Sequence, residues 1–179
     1  IGLPESEHGR LAQMRKPAAA PDLGAIDAIK KAAFLDRGSA PGGRGSTEWR
    51  MAEIPSANLH GTARGLARMM SVIAAGGALD GQMMLSAETL EQATRERIRG
   101  FDKVVPFDMS WAAGFMRNES LGVFGPNPRT VGHTGWGGSM AFADPATGVS
   151  AAYVMTRQSP HLIGDPRALR LNAALYAAL

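Results

Sequence analysis

Between Gly132 and Ser139 the chain reads Gly-His-Thr-Gly-Trp-Gly-Gly-Ser. Glycine this dense at the head of a strand leaves backbone N–H and C=O groups bare, so another molecule can approach them closely. A hydroxyl and an imidazole stand beside that bare backbone. The pattern suits a strand that receives an acyl group along a sheet edge. The alternative is a glycine-rich hairpin with a solvated histidine. The next residues, 140–148, read as strand, turn, strand.

Upstream, residues 1–21 are punctuated by Pro4, Pro17 and Pro21 and read as a meandering connection. Asp22 is the expected N-cap of a helix with Leu23, Ile26, Ile29, Ala33 and Phe34 at helical spacing. Asp36 to Thr47 is rich in Gly, Ser and Pro and reads as a solvent-exposed loop without function. Pro55 to Asn58 is a turn. A helix is expected from near Thr62 to Gly76-Gly77, where the glycine pair can take the left-handed conformation that ends it. Its core face is Leu66, Met69, Met70, Ile73 and Ala74, so the methionines read as packing rather than a binding stripe. Asp80-Gly81 signals a tight turn. Ser86 caps a helix from Ala87 to about Arg97, with Glu88 favoured in its first turn by the helix dipole.

Near Phe107 the periodicity changes. Trp111 to Met116 alternates bulky and small, as a strand with one packed face would. Leu121 to Pro128 has loop spacing, and Thr130 to Thr134 is a short strand entering the glycine box. Ser139–Ala143 and Val149–Thr156 are expected to pair antiparallel across Asp144-Pro145-Ala146-Thr147-Gly148, a run with turn chemistry. Asp165-Pro166 opens a last helix, with Leu169, Asn172, Leu175, Tyr176 and Leu179 near one face. No repeat of fixed period occurs. The expectation is an α+β fold, helical at first, then an antiparallel sheet after about residue 107, closed by the C-terminal helix.

Composition excludes several classes. The 19 Lys and Arg are scattered among 16 Asp and Glu, and aromatics are sparse, so no nucleic-acid surface is expected. No apolar run reaches the roughly 18 residues of a membrane span. The absence of cysteine excludes disulfides and thiolate metal sites. His8, His60 and His161 lack partners at metal-ligand spacing and read as surface or turn residues. No metal or cofactor is expected. Asp144 reads as a turn residue and Trp111 as core. Trp136 is divided between core and the wall of an acyl pocket.

His133-Thr134-Gly135 resembles the Lys/His-Thr-Gly box of the penicillin-binding, serine beta-lactamase-like hydrolases. That superfamily includes class C beta-lactamases, D,D-peptidases and related bacterial esterases. Residues 55–68 resemble the start of a helix in that family's all-helical lobe, and 77–90 the next turn and helix. Residues 138–145 with 152–155 resemble its last two strands. The resemblance implies a beta-lactamase/transpeptidase-like fold, here incomplete. Residues 1–106 would be part of the helical lobe with connecting loops. Residues 107–179 would be sheet strands and the C-terminal helix of the α/β lobe. In that family the nucleophile lies in a Ser-x-x-Lys motif, followed by Tyr-x-Asn or Tyr-x-Ser. No serine here has a lysine three residues on; the lysines are Lys16, Lys30, Lys31 and Lys103. Tyr153 is followed by Val-Met and Tyr176 by Ala-Ala. Both motifs are therefore expected upstream of Ile1, in a longer hydrolase of the bacterial cytoplasm or periplasm.

Acyl transfer needs an activated nucleophile, a proton shuttle and donors for the developing oxyanion. The resemblance assigns this chain the third, with some substrate orientation. The backbone N–H of Trp136 would point into the oxyanion hole. Thr134 Oγ1 would hydrogen-bond the substrate or a proton-relay group. Gly135 would lack Cβ so that the acyl chain can lie against the strand. His133 takes the position of the beta-lactamase lysine. A neutral imidazole holds a carboxylate less well than an ammonium, though it donates one hydrogen bond and accepts another. That departure favours an esterase over a D,D-peptidase or beta-lactamase. The implied partners are a small-molecule ester, amide or beta-lactam and the upstream part of the same protein. The alternative is a non-catalytic homologue that binds peptide or cell-wall fragments. Loss of upstream sequence is also expected to strip the sheet of neighbours, leaving Trp111, Phe115, Phe142 and Tyr153 incompletely buried within this chain.

Overall fold

A computed structural model describes residues 1–36, 38 and 40–179. After a 3-10 helix, Glu5–Arg10, come α1 (Ala28–Leu35), α2 (Thr47–Met51) and α3 (Ala63–Ala74). The hairpin β1 (Ala78–Leu79) and β2 (Gln82–Met83) precedes α4 (Ala87–Thr94). Then follow β3 (Ile98–Phe101), β4 (Asp108–Trp111), β5 (Met116–Arg117) and α5 (Asn118–Leu121). The chain ends with β6 (Val131–Thr134), β7 (Met140–Asp144), β8 (Val149–Tyr153) and α6 (Pro166–Ala177). Strands β3 to β8 form one six-stranded antiparallel sheet in sequence order.

Local chemistry sets most boundaries. Thr62 Oγ1 accepts from Gly65 N at 3.1 Å and starts α3. Ser86 does the same for α4 through Thr89 N, also at 3.1 Å. Asp80 and Gly81 both take positive φ, 50° and 78°, as a type I′ hairpin turn requires. Asp165 caps α6, with Pro166 at its first position. Thr62→Ala should lower stability by about 1 kcal/mol through loss of the cap, measured by urea denaturation.

Several expectations need correction. The cap of α1 is Asp27, which accepts from Lys30 N at 2.8 Å; Asp22 instead closes a turn by accepting from Gly24 N. Helix α1 is correspondingly shorter, and Ile26 and Ile29 are exposed. Helix α4 stops at Thr94, because Arg97 N donates to Trp111 O at 2.8 Å and the chain enters the sheet as β3. The sheet therefore begins at Ile98, upstream of the change in periodicity. Residues 111–116 are not one strand. Ala112 N donates to Phe115 O, and Gly114 at φ 81° turns the chain between β4 and β5. Met69 is 65% exposed and Leu179 69% exposed, so neither belongs to the packed face assigned to it.

The hairpin of β7 and β8 pairs in the expected place, with Phe142 opposite Ala151 and Met140 opposite Tyr153. Alternation along β6 and β7 divides the core in two. Val131 and Ala143 pack with Ile73 and Ala74 of α3 on one face. Met116, Met140 and Phe142 pack with Phe124 and Ala168 on the other, under α6. Phe142 is completely buried, while Trp111, Phe115 and Tyr153 are half-buried.

Candidate active site

The glycine box runs from β6 into the turn before β7. Period-two alternation puts consecutive side chains on opposite faces. His133 shares the α3 face with Val131 and is exposed. Thr134 shares the α6 face with its partner Met140 and is buried. Its hydroxyl lies 3.7 Å from Met116 Sδ. The structure therefore does not bring the Thr134 hydroxyl and the His133 ring together.

The environment of His133 sets its hydrogen-bonding sense. Nδ1 is 2.7 Å from Thr134 O, and a carbonyl only accepts, so Nδ1 carries the proton. In the neutral ring Nε2 is then a bare acceptor. The ring packs beside Trp111 at 5.6 Å between centroids.

The turn itself is built from backbone bonds. Gly135 N donates to Ser139 O at 2.7 Å, Gly138 N to Gly135 O at 3.0 Å, and Gly137 N to His161 O at 3.3 Å. Among the described residues, the N–H of Trp136 has no acceptor. Gly137 and Gly138 take φ of 102° and 111°, a region L side chains rarely enter. The chain's own side chains fill the space where a Cβ would stand: Ser139 at Gly135, Gln158 at Gly137, Asp165 at Gly138. The bareness expected to admit another molecule is thus partly used internally. On the α6 side, Thr134, Gly138, Leu162 and Ala168 line a void of about 10 Å³, room for about one water.

Trp136 is half-buried. The ring of Phe34, from α1, meets its indole edge-on at 5.1 Å, and the Arg44 guanidinium lies over it at 5.5 Å. Sequence reasoning missed both. Phe34 was legible only as a helical apolar position, and Arg44 sits in a stretch read as a loop without function.

Comparison with known proteins decides the family. The Beta-lactamase family model matches residues 1–175. The chain belongs to the beta-lactamase family. It is 40% identical over 116 residues to the Esterase/beta-lactamase LipL of Mycobacterium tuberculosis (strain ATCC 25618 / H37Rv), covering 64% of this chain and 26% of that protein. Its fold matches a penicillin-binding protein homologue from Caulobacter crescentus with TM-score 0.93 and 52% identity, over 100% of this chain and 48% of the homologue. A family VIII carboxylesterase matches with TM-score 0.89 and 35% identity, over 100% of this chain and 46% of the esterase. The chain thus spans about half the length of these solved relatives and about a quarter of LipL.

In this beta-lactamase-family chain an ion pair with one buried partner, the Asp165 carboxylate, backs the glycine turn. Asp165 accepts from Arg167 Nη2 at 2.6 Å, from Arg167 Nε and from Arg167 N. The guanidinium also donates to Arg157 O and lies over Tyr153. The Arg167 hydrogen bonds hold the Asp165 carboxyl well below the usual range, against the opposing effect of burial. A depressed carboxylate contributes stability that is fully present above its unfolded value and lost as pH falls towards its folded one. The melting temperature should therefore decline as pH drops below about 4. Asp165→Asn should flatten part of that decline, with Asp144, Glu48 and Glu96, all shifted the same way, keeping the rest. Thermal melts of both proteins from pH 7 to pH 2 check this.

Asp144 is the turn residue expected of it, and a buried one. Burial pushes its carboxyl up, but hydrogen bonds from Asn127 and Tyr176 at 2.5 and 2.8 Å leave it lowered overall. His8 bonds Leu3 O, His60 packs edge-on against Trp49, and His161 lies beside Ser159. Among the described residues no group of three His, Asp or Glu is placed to hold a metal, and no helix is long and apolar enough to cross a membrane.

Proposed function

We propose that this chain is the C-terminal portion of a SxxK serine hydrolase that forms an acyl-enzyme, with esters its favoured substrates and amides or beta-lactams secondary. On that reading the α/β lobe takes in the sheet from Ile98 onwards, and the helical lobe lies within the residues before it. The observation that carries the reading is the Trp136 N–H, without an acceptor among the described residues, three positions past the exposed His133 ring. Names of relatives support the ester preference, since they include LipL and a family VIII carboxylesterase.

In this reading an upstream serine oxygen attacks the ester carbonyl. The carbonyl oxygen becomes the oxyanion and receives the Trp136 N–H, a donor fixed by the bonds on either side of it and needing no reorganisation. The alcohol leaves with a proton, and water then releases the acid. His133 presents Nε2 as an acceptor towards a hydroxyl in the site. Gly135 leaves room for the Ser139 side chain in the turn.

The test is the full-length protein with a fluorophosphonate and p-nitrophenyl butyrate. Covalent labelling of an upstream Ser-x-x-Lys serine, with saturable turnover that the label abolishes, is expected. An intact protein that neither labels nor turns over would instead be a non-catalytic homologue binding peptide or cell-wall fragments.

A further inference from the structure

We infer that Arg44 is an anion-recognition residue, selecting esters whose acyl chain carries a distal carboxylate. The inference rests on the ester-hydrolase reading above. It starts from an unmet need in the box. His133 has one donor in its neutral ring, and that donor is spent on Thr134 O. In the neutral ring Nε2 is then only a lone pair, which repels a carboxylate rather than binding it. The lysine that the resemblance would place here is absent. A substrate carboxylate therefore needs another cation near the oxyanion donor.

Arg44 is placed to be that cation. Its guanidinium lies over the indole of Trp136, the residue whose N–H is the oxyanion candidate. The planar fork of a guanidinium can meet a carboxylate side-on, a geometry ammonium cannot copy. Among the described residues no Asp or Glu lies within ion-pair distance of Arg44.

Contacts hold both the indole and the loop that carries Arg44. Phe34 braces the indole edge-on at 5.1 Å. Beneath Arg44 the loop is tied by Gly43 N to Ala40 O at 2.8 Å, Ser46 N to Gly43 O at 3.1 Å, and Ser46 Oγ to Pro41 O at 3.1 Å. Ser46 then accepts from Trp49 N and starts α2.

The experiment compares two esters with the full-length protein: mono-p-nitrophenyl glutarate, which carries the carboxylate, and p-nitrophenyl pentanoate, its neutral counterpart. The readout is the ratio of kcat/KM values, glutarate over pentanoate. Arg44→Ala should lower this ratio about tenfold, the scale of one lost charge-assisted contact. Arg44→Lys should fall between, because charge returns without the planar fork. An unchanged ratio in Arg44→Ala, whether the two rates fall together or stay put, would overturn the inference and leave Arg44 as a prop for Trp136. If wild type hydrolyses neither ester, the hydrolase reading fails separately. Tryptophan fluorescence titrated with glutarate then decides the arginine's role. A saturable change present in wild type and lost in both Arg44→Ala and Trp136→Phe supports anion recognition, and no saturable change in wild type refutes it.

Discussion

Residues 1–179 purified alone should release p-nitrophenol from p-nitrophenyl esters no faster than buffer. The fragment holds a candidate oxyanion donor but no Ser-x-x-Lys. Nor does the fold improvise a replacement from the lysines it has. Lys30 is buried and its amine donates to Leu23 O and Ala25 O, while Lys16, Lys31 and Lys103 are exposed. Where nucleophile and base act as a unit, removing either costs on the order of 10⁶ in kcat, and the residue left by an oxyanion wall is small. Steady-state release of p-nitrophenol, with and without a fluorophosphonate, measures it. Saturable turnover blocked by that reagent would reveal a nucleophile within this chain and end the split-site reading.

The second large effect concerns His133 in the full-length protein. His133→Ala should lower kcat/KM for a preferred ester on the order of 10²-fold, the usual loss when a positioned polar group is removed from an acyl-transfer site. The ring is held by its bond to Thr134 O and by Trp111, so alanine removes an oriented acceptor rather than a loose side chain. His133→Lys should retain more activity towards substrates bearing a carboxylate, because the ammonium restores charge pairing. If both variants match wild type on neutral and anionic esters alike, His133 is only a strand residue.

The sheet was legible where one signal dominated. Asp144 to Gly148 has turn chemistry at every step, so the β7–β8 hairpin followed from local sequence alone. The caps Thr62, Ser86 and Asp165 were legible for the same reason. The errors have physical causes. At Asp22 two carboxylates, Asp22 and Asp27, compete for one helix start, and only Asp27 stands at the right distance from a free N–H. Residues 111–116 alternate as a strand does, but Gly114 permits a turn that the alternation conceals. Strand β3 is exposed at all four positions, so it carries no alternation to detect.

The candidate site was readable only in part. The box announces itself through its glycines and histidine. Which face each residue takes depends on the pairing of β6 with β7, and which side chains cover Trp136 depends on contacts about a hundred residues distant in sequence. Local pattern carries neither.

The placement of His133 and Thr134 on opposite faces of β6 also constrains how this chain can change over time. Inserting one residue into β6 would exchange the two, driving the imidazole under α6 and turning the hydroxyl outward. The 122–130 connection, with its turns and exposed Pro126 and Pro128, can absorb length without that exchange. Relatives that differ in length near the box should therefore carry their insertions and deletions before Thr130, and change the strand itself only in steps of two.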